Sequence, residues 1–297
     1  ADPTPSLWFA EGFTQYYGPL AIHRAGESTL EAFLASLGGT LDHIVNNAGR
    51  QYGSPQEMSL RAQYVDAATS IDPVNERIFT SYYPYGAVLA LLLDLKLRER
   101  FGTDLDAYMR HMWKRNGATQ KNYAPAKPYT PADLEAGLAE LTGDRAFAKH
   151  YFDDHVRGSN LPDFAPLLAQ AGLVLRQADA ARPWIGTARI VVRGGSVQLD
   201  EIPYPGSPLY KAGLDRGDTI VAIDHKPIAS PADWSAALAA MKPGQPVAIG
   251  FKTRAGAGTA TITPVADPKL SLTTLEQAGG TPSAAQLAFR RAWLTRD

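Results

Sequence analysis

The feature that most constrains this chain is a change of hydrophobic period near Gly172. From Pro5 to about Gly172 the apolar residues recur at helical spacing, while from Pro183 to about Val265 they alternate and are separated by turns rich in Gly and Pro. A 3.6-residue period buries one stripe of a helix and a two-residue period buries one face of a strand, so one core cannot be built from both in the same way. The sequence therefore predicts a mainly α, multi-helix domain over 1–172 and a linker over 173–182. A β-rich domain follows over 183–266, then a linker and C-terminal helix over 267–297.

One start signal recurs among the helices. Thr4-Pro5, Ser54-Pro55-Gln56-Glu57, Thr130-Pro131-Ala132-Asp133, Ser230-Pro231-Ala232-Asp233 and Thr281-Pro282 each place a hydroxyl before a proline, three of them with an acid three residues after the hydroxyl. The hydroxyl caps free amides, proline suits the first turn, and the acid returns a bond to the cap. The expected helices run over roughly 5–24, 28–37, 40–49, 55–68, 84–100, 104–115, 131–142, 144–157 and 163–171. Glycines at 26, 38, 102, 117, 143, 158 and 172 stand where helices are expected to stop. Leu173–Ala180 reads as a strand and linker, further strands are expected at 190–192, 196–199, 219–223, 247–251 and 259–262, and helices near 209–212, 231–241 and 282–294.

Composition excludes several functions. Lys+Arg is 29 against Asp+Glu 30, a formal net charge of -1, which offers no electrostatic case for a nucleic-acid partner. The most apolar stretch, Ala87–Leu93, is too short to span a membrane and runs straight into Asp94 and Lys96. Cysteine is absent, so disulfides, thiolate metal ligands and a cysteine nucleophile are excluded. The lack of cysteine fits an exported or periplasmic bacterial protein and fits many cytosolic ones as well. Ala1-Asp2-Pro3-Thr4 has neither the basic region nor the apolar core of a signal peptide. A dense aromatic helix follows at once, so the chain is expected to start within a domain.

That helix carries the first candidate site. In Leu7-Trp8-Phe9-Ala10-Glu11-Gly12-Phe13-Thr14-Gln15-Tyr16-Tyr17-Gly18, residues Phe9, Phe13, Tyr16, Tyr17 and Leu20 share a stripe, and Glu11 lies opposite among small residues. A helix apolar on both sides is expected to be buried, and a buried carboxylate requires a cation, donors or a metal. The plainer alternative is a half-exposed or arginine-paired Glu11. The second candidate is Tyr83 in Ser81-Tyr82-Tyr83-Pro84-Tyr85-Gly86, placed at a helix mouth by Pro84. Three clustered tyrosines can equally be packing residues.

Trp8-x-x-Glu11-Gly12-Phe13-Thr14-x-Tyr16-Tyr17 resembles the segment bearing the third zinc ligand in the glycyl-aminopeptidase family of gluzincin peptidases. The resemblance implies that Glu11 ligates zinc beside two histidines of a His-Glu-x-x-His helix, with a fourth position open for water. It also implies that Tyr83 donates its hydroxyl to the oxyanion of the tetrahedral intermediate. The family pattern there is Tyr-x-Lys-Gly, and Tyr85 stands in place of the lysine.

No His-Glu-x-x-His occurs in the chain, whose histidines are His23, His43, His111, His150, His155 and His225. His150 and His155 are five apart, which on an α-helix gives no shared face for a zinc pair. The expectation is a C-terminal fragment of a zinc aminopeptidase acting on peptides with N-terminal glycine or small residues. The parent would hold zinc, while this chain would bind none tightly and would be inactive alone.

Pro183-Trp184-Ile185-Gly186-Thr187 and Gly206-Ser207-Pro208-Leu209-Tyr210-Lys211-Ala212-Gly213-Leu214-Asp215-Arg216-Gly217-Asp218-Thr219-Ile220 resemble the carboxylate-binding loop and the helix-to-strand segment of bacterial PDZ domains. The resemblance implies a groove between the strand after Thr187 and the helix from Pro231. There a peptide C-terminus would sit over Ile185, Gly186 and Thr187, with Trp234 and Leu238 facing groove or core. The alternatives left open are a PDZ domain that only packs within its own protein, and a non-catalytic peptide-binding protein with a peptidase-like helical domain.

Overall fold

The computed structural model describes residues 3–65, 77–118, 127–187 and 189–295. The chain forms two compact units. One comprises Ala1–Pro73, Ile78–Arg176 and Leu270–Asp297; the other comprises Gln177–Lys269 together with Val74–Arg77. The first is helical and the second β-rich, each with its own apolar core.

In the helical unit, α1 (Leu7–Arg24) and α2 (Leu30–Val45) precede the short α3 (Pro55–Leu60) and α4 (Ala62–Val65). The central helix is α5 (Tyr82–Phe101), and α6 (Leu105–Met112), α7 (Pro131–Thr142), α8 (Arg145–Tyr151) and α9 (Ala165–Ala169) surround it. α5 is buried almost all round from Tyr85 to Leu95, as a helix apolar on every side must be. Residues 66–68 of the helix expected over 55–68 lie outside the described residues.

Gly38 does not stop a helix. The two segments expected over 28–37 and 40–49 are one helix to Val45, and an added Cβ at Gly38 would lie 3.0 Å from the Leu272 side chain. The glycine admits a neighbouring strand instead of ending its own element. By contrast Gly26, Gly102, Gly143 and Gly172 do adopt positive φ at helix ends.

Within the strand and linker expected after Gly172 lies β1 (Leu173–Gln177), and its partner over Leu270–Thr274 is a strand where linker is expected. The C-terminal helix (Ala284–Leu294) belongs to the helical unit, where Trp293 is fully buried. Its indole donates to the Tyr16 hydroxyl at 2.8 Å, and Tyr16 donates to Asp94 at 2.7 Å. Asp94, on α5, also receives Arg98 Nε at 2.9 Å and the Leu105 amide at 3.1 Å. Burial pushes the Asp94 carboxyl up, against the opposing pull of Arg98 and its donors. This buried carboxylate ties α1, α5, α6 and the last helix to one point.

Three of the expected caps form complete boxes, at Ser54/Glu57, Thr130/Asp133 and Ser230/Asp233. The first and last shift inward: α1 starts after Ser6, and the C-terminal helix is boxed by Ser283 and Gln286. No described helix is long and apolar enough to cross a membrane.

The β-rich unit contains β2 (Pro183–Trp184), β3 (Ile190–Arg193), β4 (Ser196–Leu199), β5 (Thr219–Ile223), β6 (Lys226–Pro227), β7 (Val247–Thr253), β8 (Gly256–Ile262) and β9 (Val265–Ala266). The main sheet runs β3-β4-β5-β7-β8 with antiparallel neighbours, so β3 is an edge. Two helices, α10 (Pro208–Lys211) and α11 (Pro231–Ala240), complete it. Gly213 and Gly217 take positive φ on the path from α10 to β5, and Asp218 accepts the Asp215 amide at 2.8 Å.

Candidate functional site

Glu11 and Tyr83 each lie near a helix crossing made by two glycines whose role is contact. An added Cβ at Gly12 would lie 2.3 Å from Gly86 Cα, and one at Gly86 would lie 1.9 Å from the Trp8 carbonyl oxygen. The backbones of α1 and α5 therefore touch at Gly12 and Gly86. Glu11 is adjacent to the first glycine, and Tyr83 precedes the second by three residues. With about 3.8 Å between successive Cα atoms and about 5.4 Å per helical turn, both lie within about one turn of the crossing. The pattern reading had not singled out these two glycines, although a glycine inside each apolar helical run was the available signal.

Glu11 is half-exposed rather than buried, with Ala10, Thr14, Gln15 and Gly18 exposed around it. This corrects the expectation of a helix buried on both sides: α1 buries Trp8, Phe9, Gly12, Phe13, Tyr16 and Leu20 and leaves its small-residue face open. Among the described residues Glu11 has no hydrogen-bond or ion-pair partner, so neither arginine nor backbone neutralises it. Tyr83 is half-buried against the helical core, its ring stacked on Tyr82 at 4.9 Å between centroids. Its amide donates to the Ser81 hydroxyl at 3.4 Å, at the N-terminus of α5. Tyr85, in the place of the family lysine, is fully buried, and burial pushes its hydroxyl up to about 12 despite the nearby Arg50.

The described residues offer no group of three or more His, Cys, Asp or Glu side chains able to hold a metal. Glu11 suits one ligand position, being an accessible carboxylate with no partner among the described residues, but one carboxylate does not constitute a zinc site.

The second site is built from backbone. The Ile185 carbonyl accepts the Leu209 amide at 3.0 Å, and the Gly186 carbonyl accepts the Tyr204 amide at 3.1 Å. In a trans peptide the N–H points opposite to the C=O. The amides of Gly186 and Thr187 are therefore turned away from the 204–209 segment, and among the described residues they donate to nothing. Gly186 has φ +121°, and its Cα packs where a Cβ would strike the Ser207 hydroxyl.

Ile185 and Thr187 are buried at 2% and 6% exposure and anchor the loop. The Thr187 hydroxyl donates to Glu201, which also pairs with Arg77 at 3.0 Å and Arg189 at 3.6 Å. That bond accounts for a polar residue where the loop pattern expects an apolar one. Trp234 lies in the core of this unit and does not face a groove, while Leu238 is half-buried on top of that core. Ile190 packs on the same core from the edge strand β3, and Val192, on the same face, is exposed.

Against known proteins, residues 1–89 match the family model for M61 glycyl aminopeptidase, and residues 203–251 match the model for a PDZ domain. A crystal structure of an aminopeptidase N family protein from Idiomarina loihiensis aligns with 99% of this chain at a TM-score of 0.73 and 25% identity. The alignment covers 49% of that protein, so this chain spans about half its length. An HtrA-type protease with a decapeptide aligns over 30% of this chain and 30% of its own, at 19% identity and a TM-score of 0.27. The PDZ domain of HtrA3 bound to a phage-derived ligand aligns over 37% of this chain and 99% of its own, at 14% identity and a TM-score of 0.21. No curated protein matches the chain. The chain thus carries an M61 glycyl aminopeptidase segment in a helical unit, followed by a PDZ domain.

Proposed function

We propose that this chain is the helical and PDZ portion of a zinc-dependent aminopeptidase that removes N-terminal glycine or other small residues from peptides. The observation that carries the reading is the Gly12–Gly86 crossing. Near it lie a carboxylate with no partner among the described residues and a tyrosine at a helix start, each within about one turn of the same point. In this reading Glu11 is one protein ligand of the zinc, whose part is to activate water and polarise the peptide carbonyl. The remaining ligands and the general base lie outside this sequence, so the chain alone binds no stoichiometric zinc and cleaves no glycyl or alanyl amide. Tyr83 supplies a hydroxyl to the developing oxyanion, with its position set by the start of α5 and by the Tyr82 ring beneath it.

The full-length parent tests this. The Glu11→Ala protein should lose zinc and activity together. The Tyr83→Phe protein should keep zinc and lose mainly kcat, by about 10²-fold or more for a single oxyanion donor. A Glu11→Ala protein with full zinc content would falsify the assignment.

In the PDZ domain, the unengaged amides of Gly186 and Thr187 beside the edge strand β3 support binding of a peptide C-terminus by strand addition. A peptide with a free C-terminal carboxylate should bind, and its C-terminal amide should not. Equal binding of the two removes the carboxylate from the account. The same amides favour the second reading, in which peptide binding is the whole function; zinc-dependent turnover by the parent protein excludes it.

A further inference from the structure

His150 and His155 are five positions apart, and on an α-helix that spacing would set them on different faces. The structure differs because α8 passes at Phe152 into a π-helical turn, Phe152–Arg157, closed by bonds such as Gly158 N–H to the Asp153 carbonyl at 2.9 Å. A turn with i→i+5 bonding brings residues five apart into register, and such turns are frequent at functional sites. The two imidazoles lie 6.1 Å apart, edge to face. They line one cavity of about 360 Å³ with Lys96 and Arg100 from α5, Asp154 from the π-turn, and the apolar walls Leu92, Phe147, Tyr151, Leu161 and Pro162.

The charges of this cavity favour an anion. Lys96 and Arg100 are fixed cations whose acidic partners, Glu99 at 2.9 Å and Asp144 at 3.5 Å, stand outside the lining. The single lining acid, Asp154, lies 3.3 Å from His150 Nδ1. His155 Nδ1 is 2.6 Å from the Asn160 carbonyl, which can only accept, so Nδ1 carries the proton and Nε2 presents a lone pair when the ring is neutral. The ring also rests on Tyr151 at 5.7 Å.

We propose that this cavity binds a small carboxylate with an apolar body and that binding takes up a proton on His155. The carboxylate meets Lys96 and Arg100, and the body meets Phe147, Leu92 and Leu161. The groups facing His155 are His150, Asp154, Tyr151 and Lys96. Burial, with Lys96 and His150 adding to it, holds the His155 ring below its usual value, against Asn160 and Asp154. A carboxylate in the cavity reverses that balance and raises it, so affinity falls as pH rises between the free and liganded values. One linked proton gives up to about tenfold in affinity per pH unit inside that window.

Benzoate is the probe, titrated into the 297-residue chain at pH 6 and pH 8 by calorimetry, with the His155 ring followed by NMR. Saturable binding at pH 6, several-fold weaker at pH 8, and a His155 titration moved upward by saturating benzoate are expected. The Lys96→Gln/Arg100→Gln protein changes two partly exposed side chains and should bind at least about tenfold more weakly, given the loss of two charge-assisted contacts. Equal binding of neutral benzamide overturns the anion site, and phosphate binding as tightly as benzoate overturns the apolar body. No saturable benzoate binding at pH 6, unchanged binding by the double variant, or a His155 titration indifferent to benzoate overturns the proposal as a whole.

Discussion

The α1–α5 crossing and the Gly186 loop both depend on glycine, for opposite reasons. At Gly12 and Gly86 the backbone is ordinary helix, and glycine is required because another backbone occupies the space where a Cβ would stand. At Gly186 the nearest obstacle is the Ser207 side chain, and the requirement is conformational, a φ of +121° that side chains rarely adopt. The first region uses glycine to bring two helix backbones into contact near Glu11 and Tyr83. The second uses it to present backbone amides. A site made of side chains therefore tolerates no added volume at its support, and a site made of backbone tolerates no change of φ.

Substitution at the crossing should produce the largest effect. Gly86→Ala places a methyl group against the Trp8 carbonyl, which cannot swing aside as a side chain can. The helices must separate, and the expected loss is more than about 3 kcal/mol, beyond ordinary overpacking. The control is Gly18→Ala on the exposed face of α1, where nothing lies within 4 Å of the added carbon. Removing a flexible residue from a helix interior there should stabilise by about 0.5–1 kcal/mol. Thermal unfolding followed by the helical circular-dichroism signal measures both. A Gly86→Ala protein as stable as the Gly18→Ala protein would show that the contact is not tight.

The loop should respond more mildly. Gly186→Ala forces a side chain into a strained φ, at a cost of about 1–3 kcal/mol, and sets its methyl group against both the hydroxyl and the Cβ of Ser207, which must shift. Stability of the β-rich unit should fall by about that amount, and affinity for a free peptide carboxylate should fall with it as the two amides turn. Retained affinity in a destabilised protein would place the carboxylate elsewhere.

Side-chain chemistry was easier to read in the sequence than its supports were. The Glu11 and Tyr83 motifs, the period change and three capping boxes are local patterns of residue type, and these are visible without a fold. Gly38 was misread as a helix stop because pattern alone cannot distinguish a glycine that ends a helix from one that admits Leu272. The His150–His155 pair was assigned to different faces because an α-helical period was assumed, and a π-turn leaves no clear signature in residue order. The strand over Leu270–Thr274 reads as linker because its partner, β1, lies almost a hundred residues away. The buried Asp94 hub was not read for the same reason, since its donors come from Tyr16, Arg98 and Leu105.

The smallest expected effect compares two caps of the same type. Asp133 in the helical unit and Asp233 in the β-rich unit both complete capping boxes, and Arg115 stands 3.5 Å from Asp133 in addition. The Asp233 carboxylate accepts the Ser230 hydroxyl at 2.8 Å and the amides of Ser230 and Ala229 at 2.9 and 3.1 Å. These bonds, the hydroxyl first, hold its carboxyl below the usual value. A carboxyl lowered by folding releases its proton more readily in the native state. Its contribution is therefore complete above the unfolded value of about 3.9 and is lost as pH falls through the lower folded value. In Asp233→Asn that contribution is absent at every pH. The wild-type advantage in unfolding midpoint should be present at pH 5 and should shrink steadily as the pH is lowered through 4 and 3. An advantage that stays constant over that range would mean the cap works through its shape alone, with no part for its charge.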